Sequence, residues 1–219
     1  MKRRKAAYGV ALRFVQAVVL SCMLPLLAPA HAEAREKLVL AFGDSLTAGY
    51  GLRPAEAFPA RLEASLRRNG IAVLVQNAGV SGDTSAAGRA RLAWVLKALK
   101  AKPDLVIVEL GANDMLRGLS PAETRANIDA ILAELQRRGI RTLVAGMRAA
   151  PNMGRSYATR FEPIYPQLAR AHGAALYPFF LAGVAAQPSL LQADGMHPNP
   201  RGVDIVVRGI APIVARLLR

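Results

Sequence analysis

The sequence predicts a three-layer α/β domain, in which helices cover both faces of a parallel β-sheet. Two observations carry this prediction. Five short apolar segments alternate with helical patterns along the chain, and the connections between them are short. The apolar segments are also rich in β-branched residues, which is typical of parallel strands that are covered on both faces. Together these observations argue for one three-layer α/β domain.

Apolar residues at helical spacing predict helices between the strands. The first helix carries Phe58, Leu62 and Leu66 and ends at Gly70. The second follows a cap near Thr84 and has apolar residues at positions 92, 95, 96 and 99. The five strands that these helices separate are predicted at residues 38–42, 72–76, 105–110, 141–145 and 174–177.

The third helix has the most readable ends. Ser120, Pro121 and Glu123 match a capping box with proline at the first helical position, so we expect the helix to begin there. Apolar residues recur at positions 128, 131, 132 and 135, which is the spacing of one buried helix face. Gly139 then ends the helix.

Prolines are expected to shape the last two helices. We expect a helix over residues 156–172 that bends at Pro163 and Pro166, because proline removes a backbone hydrogen bond and crowds the preceding turn. The final helix begins at residues 199–200, and we expect Pro212 to kink it for the same reason.

Residues 1–32 are predicted to be a secretory signal peptide that is removed. Basic residues at positions 2–5 precede an apolar stretch over residues 14–27, and small residues ending at Ala32 fit a cleavage site. A membrane anchor is the alternative, but polar residues and a proline interrupt the stretch, which falls short of the roughly 18 apolar residues that span a bilayer. We therefore expect residues 33–219 to form a single domain in the periplasm or outside the cell.

Cysteine content limits the chemistry of the mature chain. Cys22 is the only cysteine and lies within the predicted signal peptide. Its removal excludes disulfides, a cysteine nucleophile and thiolate metal sites.

The chain is strongly basic, with a formal net charge of +14. Five of its 29 basic residues and none of its 15 acidic residues lie in the predicted signal peptide, which leaves +9. The basic residues are scattered, with few aromatic residues between them to stack bases, so we expect a solvated surface and no nucleic-acid partner. Peripheral attraction to an anionic membrane surface is compatible with this charge. We expect the protein to be a monomer.

Two short segments supply the parts of a nucleophilic site. Ser45 lies in a tight turn directly after the first predicted strand, and His197 follows Asp194 by three residues. A serine hydroxyl is a weak nucleophile that needs an imidazole to take its proton and a carboxylate to orient that imidazole. The remaining histidine of the predicted mature chain, His172, precedes Gly173 at a helix end, where a histidine is an ordinary cap.

Donors for a developing oxyanion are expected on the same edge of the sheet. Gly79 follows the second predicted strand and offers a backbone N–H without an obstructing side chain, and Asn113 follows the third and offers a side-chain N–H. The tight turn also exposes the N–H of Ser45. Because ligands bind at the carboxyl ends of parallel strands, all of these groups should meet at one rim.

Four short motifs resemble the SGNH (GDSL) hydrolase family: Gly-Asp-Ser-Leu at 43–46, Gly79, Gly-x-Asn-Asp at 111–114 and Asp-x-x-His at 194–197. The similarity extends over residues 37–217 and is strongest to the bacterial periplasmic thioesterase/protease/lysophospholipase branch, often called arylesterases. It implies a flavodoxin-like sheet of strand order 2-1-3-4-5. Ala112 departs from the glycine that this branch often has.

The resemblance also implies two substrate loops. Residues 115–119 correspond to a mobile substrate loop, and residues 148–155 correspond to a second pocket loop. Apolar residues in both would suit an acyl chain, and ordinary loop packing is the alternative reading for each.

The predicted activity is a serine esterase that hydrolyses aryl or acyl esters, thioesters and lysophospholipids through an acyl-enzyme. Ser45, Asp194 and His197 are the expected triad, and Ser45, Gly79 and Asn113 the expected oxyanion hole. No metal or organic cofactor is implied, and Asp44 is interpreted as structural. The alternatives are a carbohydrate O-acetyl esterase and a noncatalytic module that binds an anionic ligand.

Overall fold

A five-stranded parallel sheet forms the centre of the molecule. The computed structural model describes residues 35–219. The strands lie in the order β2-β1-β3-β4-β5, which confirms the predicted architecture and the strand order that the resemblance implies. They are Lys37–Gly43 (β1), Val73–Gly79 (β2), Leu105–Glu109 (β3), Thr142–Ala145 (β4) and Ala175–Tyr177 (β5).

Eight α-helices connect or follow these strands in the described part of the chain. Because crossovers between parallel strands are right-handed as a rule, the strand order predicts that the longer helix between β1 and β2 covers one face and the helices between β2 and β5 cover the other. They are Ser45–Ala48 (α1), Phe58–Arg68 (α2), Ser85–Ala98 (α3), Ala112–Leu116 (α4), Pro121–Arg137 (α5), Arg155–Phe161 (α6), Ile164–Ala171 (α7) and Pro200–Leu218 (α8). Helix α8 packs against α2, and α3 packs against α5.

Strand register brings three segments to one edge of the sheet. Strand β1 is the buried central strand of this region, and its last residue, Gly43, is aligned with Gly79 of β2 and with Glu109 of β3. The chain that follows each of these residues therefore emerges at the same place. That edge receives the loops on which the predicted site residues lie.

Strand β2 differs from its prediction because it lies at the edge of the sheet. Val73 and Val75 are buried, whereas the side chain of Leu74 is 43% exposed. An edge strand is packed against fewer neighbouring elements than a central strand is. Alternate side chains of β2 are therefore exposed although its sequence is apolar.

One helix prediction is also wrong in detail. The helix expected over residues 156–172 is two helices, α6 and α7, with Pro163 in the break between them. Pro166 lies in the first turn of α7, where its missing N–H removes no helical hydrogen bond, so it bends nothing. Helix α8 contains Pro212 and continues to Leu218, and the kink expected at Pro212 stays a prediction.

The capping box predicted at the start of α5 does not form. The helix begins at Pro121 as expected, but the Ser120 side chain accepts no cap hydrogen bond. Instead, the Thr124 hydroxyl contacts the Ser120 carbonyl (3.3 Å) and the buried Asp114 carboxylate (3.1 Å).

The predicted signal peptide, residues 1–32, lies outside the described residues. Among residues 35–219, none of the helices is both long enough and apolar enough to cross a membrane.

Candidate active site

Ser45 begins a one-turn helix, α1, directly after strand β1. Asp44 caps this helix, because its carboxylate Oδ1 accepts the N–H of Leu46 at 3.0 Å. Gly49 ends the helix with a φ of 83°, a left-handed conformation that favours glycine. The turn holds the Ser45 side chain at the carboxyl edge of the sheet.

His197 reaches Ser45 from the loop before α8. Its Nε2 lies 2.9 Å from Ser45 Oγ, and its Nδ1 lies 2.7 Å from Asp194 Oδ2. When Nδ1 donates to Asp194, Nε2 is left free to accept the Ser45 hydroxyl. The structure thus brings the three predicted triad residues into one hydrogen-bonded chain.

Asp194 is fixed by the backbone of its own loop. Its Oδ1 accepts the N–H of His197 at 3.0 Å and that of Met196 at 2.9 Å. These bonds favour the ionised form and lower the pKa of Asp194 to about 2, with a smaller contribution from the His197 ring. The carboxylate is therefore ionised at any pH near neutral.

Gly79 lies against the Ser45 helix. A side chain here would collide with the backbone nitrogen of Ala48, so the close approach of β2 to α1 requires glycine. The Gly79 N–H donates to Asn77 Oδ1 at 2.9 Å. An oxyanion at this position would have to compete with Asn77 for that hydrogen.

Asn113 lies on the short helix α4, in a segment predicted as a loop. Its side-chain Nδ2 donates to Asp44 Oδ2 at 3.2 Å and to the Asp83 carbonyl at 3.0 Å. Both amide hydrogens therefore have acceptors. The Asn113 amide is held beside the turn that carries Ser45 by the Asp44 carboxylate of that same turn.

The neighbouring residue, Asp114, anchors helix α4 to other parts of the structure. Its buried carboxylate accepts the backbone N–H of Ser85 at 2.7 Å as well as the Ser85 and Thr124 hydroxyls. Asp114 thereby ties α4 to the beginning of α3 and to α5.

A cleft of about 690 Å³ opens beside Ser45 and His197. Its wall is mainly apolar, and both predicted substrate loops contribute to it, through Met115 and Leu116 and through residues 148–151. Arg148 and Glu162 add charge to this wall, with 3.9 Å between the guanidinium Nε and the carboxylate. The shape and polarity suit a substrate with an extended apolar part.

Comparison with known proteins identifies the family of this chain. A model of the GDSL-like lipase/acylhydrolase family matches residues 41–205. The chain belongs to this family. The resemblance to SGNH (GDSL) hydrolases is therefore confirmed.

Relatives of this GDSL-family hydrolase carry names of esterases and thioesterases. Esterase TesA of Pseudomonas aeruginosa is 37% identical over 205 residues, which cover 93% of this chain and 100% of the relative. Thioesterase 1/protease 1/lysophospholipase L1 of Escherichia coli K12 is 38% identical over 188 residues, covering 84% and 88%. The crystal structure of AlinE4, an SGNH-hydrolase family esterase, is 54% identical, covers 84% of this chain and 97% of its own, and superposes with a TM-score of 0.72.

Two residues of the GDSL-family site were not predicted. The Tyr50 ring lies 4.6 Å from the His197 ring, measured between centroids, and is 53% exposed. Gln192 Nε2 donates to the carbonyls of Tyr50 (2.7 Å) and Pro198 (3.0 Å), which links the Ser45 side of the cleft to the His197 loop. The position of Tyr50 between Gly49 and Gly51 was a weak sequence signal for a role in the site. No local sequence pattern indicated that Gln192 would belong to the site.

His172 is structural in this hydrolase, as its position beside Gly173 predicts. It caps the end of α7, and its ring nitrogens lie 2.6 Å from Asp129 and 3.0 Å from Gln136, both on α5. Residues 35–219 contain no cluster of three or more histidine, aspartate or glutamate side chains that could hold a metal ion.

Proposed function

We propose that this GDSL-family protein is a serine esterase that hydrolyses aryl and acyl esters, thioesters and lysophospholipids. One observation carries the proposal: the continuous hydrogen-bonded chain from Ser45 through His197 to Asp194, beside an apolar cleft. The names of its relatives agree with ester and thioester hydrolysis.

Acylation begins at Ser45. Its Oγ attacks the carbonyl carbon while the hydroxyl proton passes to His197 Nε2, 2.9 Å away. Asp194 holds the other ring nitrogen and stabilises the imidazolium that forms. The bond to the leaving oxygen or sulfur then breaks, and His197 returns the proton to the departing alcohol or thiol.

Deacylation repeats these steps with water. His197 takes a proton from the water that attacks the acyl-enzyme, and it gives that proton back to Ser45 Oγ as the ester bond breaks. The products are the free carboxylic acid and the regenerated serine.

The oxyanion is held by the N–H groups of Ser45 and Gly79 and by the Asn113 amide. Support comes from location, since Gly79 ends β2 and Asn113 follows β3, on the two strands that flank β1. The Gly79 and Asn113 donors are engaged with Asn77, Asp44 and Asp83. Charge developing on the substrate oxygen competes for these hydrogens because it is the stronger acceptor.

The enzyme acts outside the cytoplasm, in the periplasm or beyond, after cleavage near Ala32. The basic start and apolar stretch of residues 1–32 support export. Residues 33–219 then act as a monomeric single domain.

Peripheral contact with a lipid surface belongs to this proposal. Tyr50, Leu116 and Met196 line the cleft and are each at least half exposed, at 53%, 54% and 50%. An exposed apolar rim on a basic protein suits an anionic lipid surface.

Hydrolysis of a p-nitrophenyl ester series, from acetate to palmitate, tests the function. We expect the wild type to turn over medium or long chains and Ser45→Ala to lose nearly all turnover while it remains folded, as judged by circular dichroism. Activity on acetate alone would support a carbohydrate O-acetyl esterase instead. If no ester is hydrolysed, the alternative function, a noncatalytic module that binds an anionic ligand, would be supported instead.

A further inference from the structure

Two buried carboxyl groups lie directly behind the nucleophile. Glu109 is the last residue of β3, and Asp44 precedes Ser45; both are 0% exposed. Glu109 Oε2 accepts the Thr47 hydroxyl at 2.8 Å and the Asp44 N–H at 3.4 Å. Glu109 is therefore fastened to both ends of the turn that carries Ser45.

No cation neutralises this pair. Among residues 35–219, neither carboxyl group forms an ion pair with arginine or lysine. Arg91 is close, but its guanidinium donates to the Gly43 carbonyl at 2.9 Å and pairs with Asp83 at 2.6 Å. Burying two adjacent negative charges without a partner is costly, so the pair must retain a proton.

The hydrogen bonds indicate which group holds that proton. The two residues are in direct contact, because Glu109 Oε2 accepts the Asp44 N–H at 3.4 Å, so their carboxyl groups cannot both be ionised at low cost. Asp44 is supplied with donors by Leu46 and Asn113, as expected for an anion. Glu109 Oε1 is reached by no donor from the described residues, as expected for an oxygen that carries its own hydrogen.

The pKa directions agree with this assignment. Burial, followed by the neighbouring Asp44 charge, raises the pKa of Glu109 well above its usual range. Burial also raises the pKa of Asp44, but only to about 6, because the donors from Leu46 and Asn113 favour its ionised form. Near neutral pH the pair therefore holds one proton, and Glu109 keeps it.

We propose that Glu109 is a positioning residue, which stays protonated and donates its hydrogen to Asp44. Asp44 then remains an anion whose two oxygens hold the Leu46 N–H at the Ser45 turn and the Asn113 amide beside it. The inference rests on the proposed esterase function, in which Ser45 and Asn113 act. Glu109 itself touches no substrate.

Other titratable groups face the pair from several elements. His197 contacts Ser45, the residue next to Asp44, at 2.9 Å, and Tyr165 of α7 is close enough for both carboxyl groups to raise its pKa. Asp114 lies beyond Tyr165, whose hydroxyl donates to the Leu110 carbonyl at 3.1 Å. With Arg91, these groups set the field around Glu109.

Infrared spectroscopy tests the proton directly. At about pH 8 an ordinary glutamate is ionised. We expect the wild type to retain the C=O stretching band of a buried protonated carboxyl group and Glu109→Gln to lack it. Glu123→Gln, on an exposed part of α5, should leave the band unchanged. A band that is missing from the wild type, or that survives in Glu109→Gln, would overturn the proposal. This measurement needs no substrate, so its failure is distinct from a failure of the esterase function.

Kinetics tests the positioning. Glutamine is neutral and can still donate a hydrogen to Asp44, whereas leucine cannot. We expect Glu109→Gln to lower kcat by less than about tenfold and Glu109→Leu by about a hundredfold, with KM within about threefold in both. Equal losses in the two variants would mean that only the volume of Glu109 matters. If Glu109→Leu does not fold, the infrared result and the kinetics of Glu109→Gln still test whether Glu109 is a protonated positioning residue.

Discussion

Two aspartates near Ser45 have opposite environments. Asp194 is exposed and surrounded by N–H donors, which lower its pKa to about 2, whereas burial raises the pKa of Asp44 to about 6. Burial therefore outweighs hydrogen bonding at Asp44, and hydrogen bonding outweighs burial at Asp194. Only Asp194 is suited to stabilise a cationic imidazole across a wide range of pH.

Replacement of Asn113 tests the oxyanion hole. We expect Asn113→Ala to lower kcat by about two to three orders of magnitude, because a donor that acts on the developing charge is lost. KM should change little, since the contact is made mainly in the transition state. Steady-state kinetics on a p-nitrophenyl ester measures both constants. A loss confined to KM would mean that Asn113 binds the ground state and that its role is misassigned.

Asp44 makes stability depend on pH. Its pKa rises from 3.8 to about 6 on folding, so the folded state binds the proton more tightly. Its contribution is fully present below the lower value and is lost as the pH rises through the higher one. We expect the free energy of unfolding to fall by about 1–3 kcal/mol over this interval on account of Asp44.

Urea titrations at several pH values measure that loss. Asp44→Asn should reduce this loss by the part that is due to Asp44 and leave the part that is due to Glu109, whereas Asp204→Asn, at a partly exposed position on α8, should leave the loss unchanged. A pH dependence in Asp44→Asn equal to that of the wild type would contradict the assignment.

Helix α8 depends on its first residues for both stability and the position of His197. Asn199 accepts the N–H groups of Arg201 and Gly202 at 3.0 and 3.1 Å, and its own Nδ2 donates to two carbonyls of the preceding loop. We expect Asn199→Ala to lower the free energy of unfolding by about 1–3 kcal/mol, because a cap and two further bonds are lost. Chemical denaturation measures the change.

Ser120→Ala is the matched control for that experiment. Ser120 precedes α5 as Asn199 precedes α8, but its side chain makes no cap hydrogen bond. We expect little change in stability. A loss as large as that of Asn199→Ala would show that the Ser120 hydroxyl does cap α5 in solution.

The loop that carries His197 is linked to the Ser45 turn by Gln192. Its amide spans the carbonyls of Tyr50 and Pro198. We expect Gln192→Ala to lower kcat by about tenfold, because a small shift of a general base relative to its nucleophile is costly. The same ester assay measures the loss, and rescue by Gln192→Asn is not expected because the shorter side chain cannot span both carbonyls. Unchanged kcat in Gln192→Ala would mean that the loop holds its position without this bridge.

The elements were largely predictable because local patterns determine them. The five strands follow from apolar segments, and Gly70 and Gly139 mark helix ends through their left-handed conformations. Two details differ from the local pattern. Thr124 contacts Asp114 where a capping box was expected, a contact between two elements that spacing alone does not reveal. Pro163 divides the expected single helix into α6 and α7.

The candidate site also contains residues that the sequence predicts and residues that it does not. The hydrogen-bonded chain of Ser45, His197 and Asp194 follows from short motifs that are specific to a chemistry, and the catalytic roles of these residues stay predictions. Tyr50 and Gln192 could not be predicted, since each meets its partner across more than a hundred residues of sequence. The Asp44–Glu109 pair was also missed, because strand register alone brings it together.

The distribution of charge and apolar surface over the whole molecule predicts where it meets lipid. The rim at Leu116 is exposed beside the cleft, whereas Leu74 is exposed on the edge strand β2. We expect Leu116→Asp to weaken binding to vesicles of anionic lipid by about tenfold, because an apolar contact is replaced by a like charge. Cosedimentation measures the binding.

Leu74→Asp serves as the control, because it adds the same charge away from the cleft. It should reduce vesicle binding far less than Leu116→Asp does. Equal reductions would indicate that net charge alone drives the attraction, and binding that is unaffected by either change would exclude contact through the rim.

Ser45 and His197 are separated by 152 positions in the chain, yet they share a hydrogen bond. Ser45, the proposed nucleophile, is synthesised early, and His197, its proposed base, follows only when most of the chain has been made. A nascent chain that ends before His197 therefore contains Ser45 without the imidazole that the proposed mechanism requires. Under that mechanism, such a chain cannot yet hydrolyse an ester.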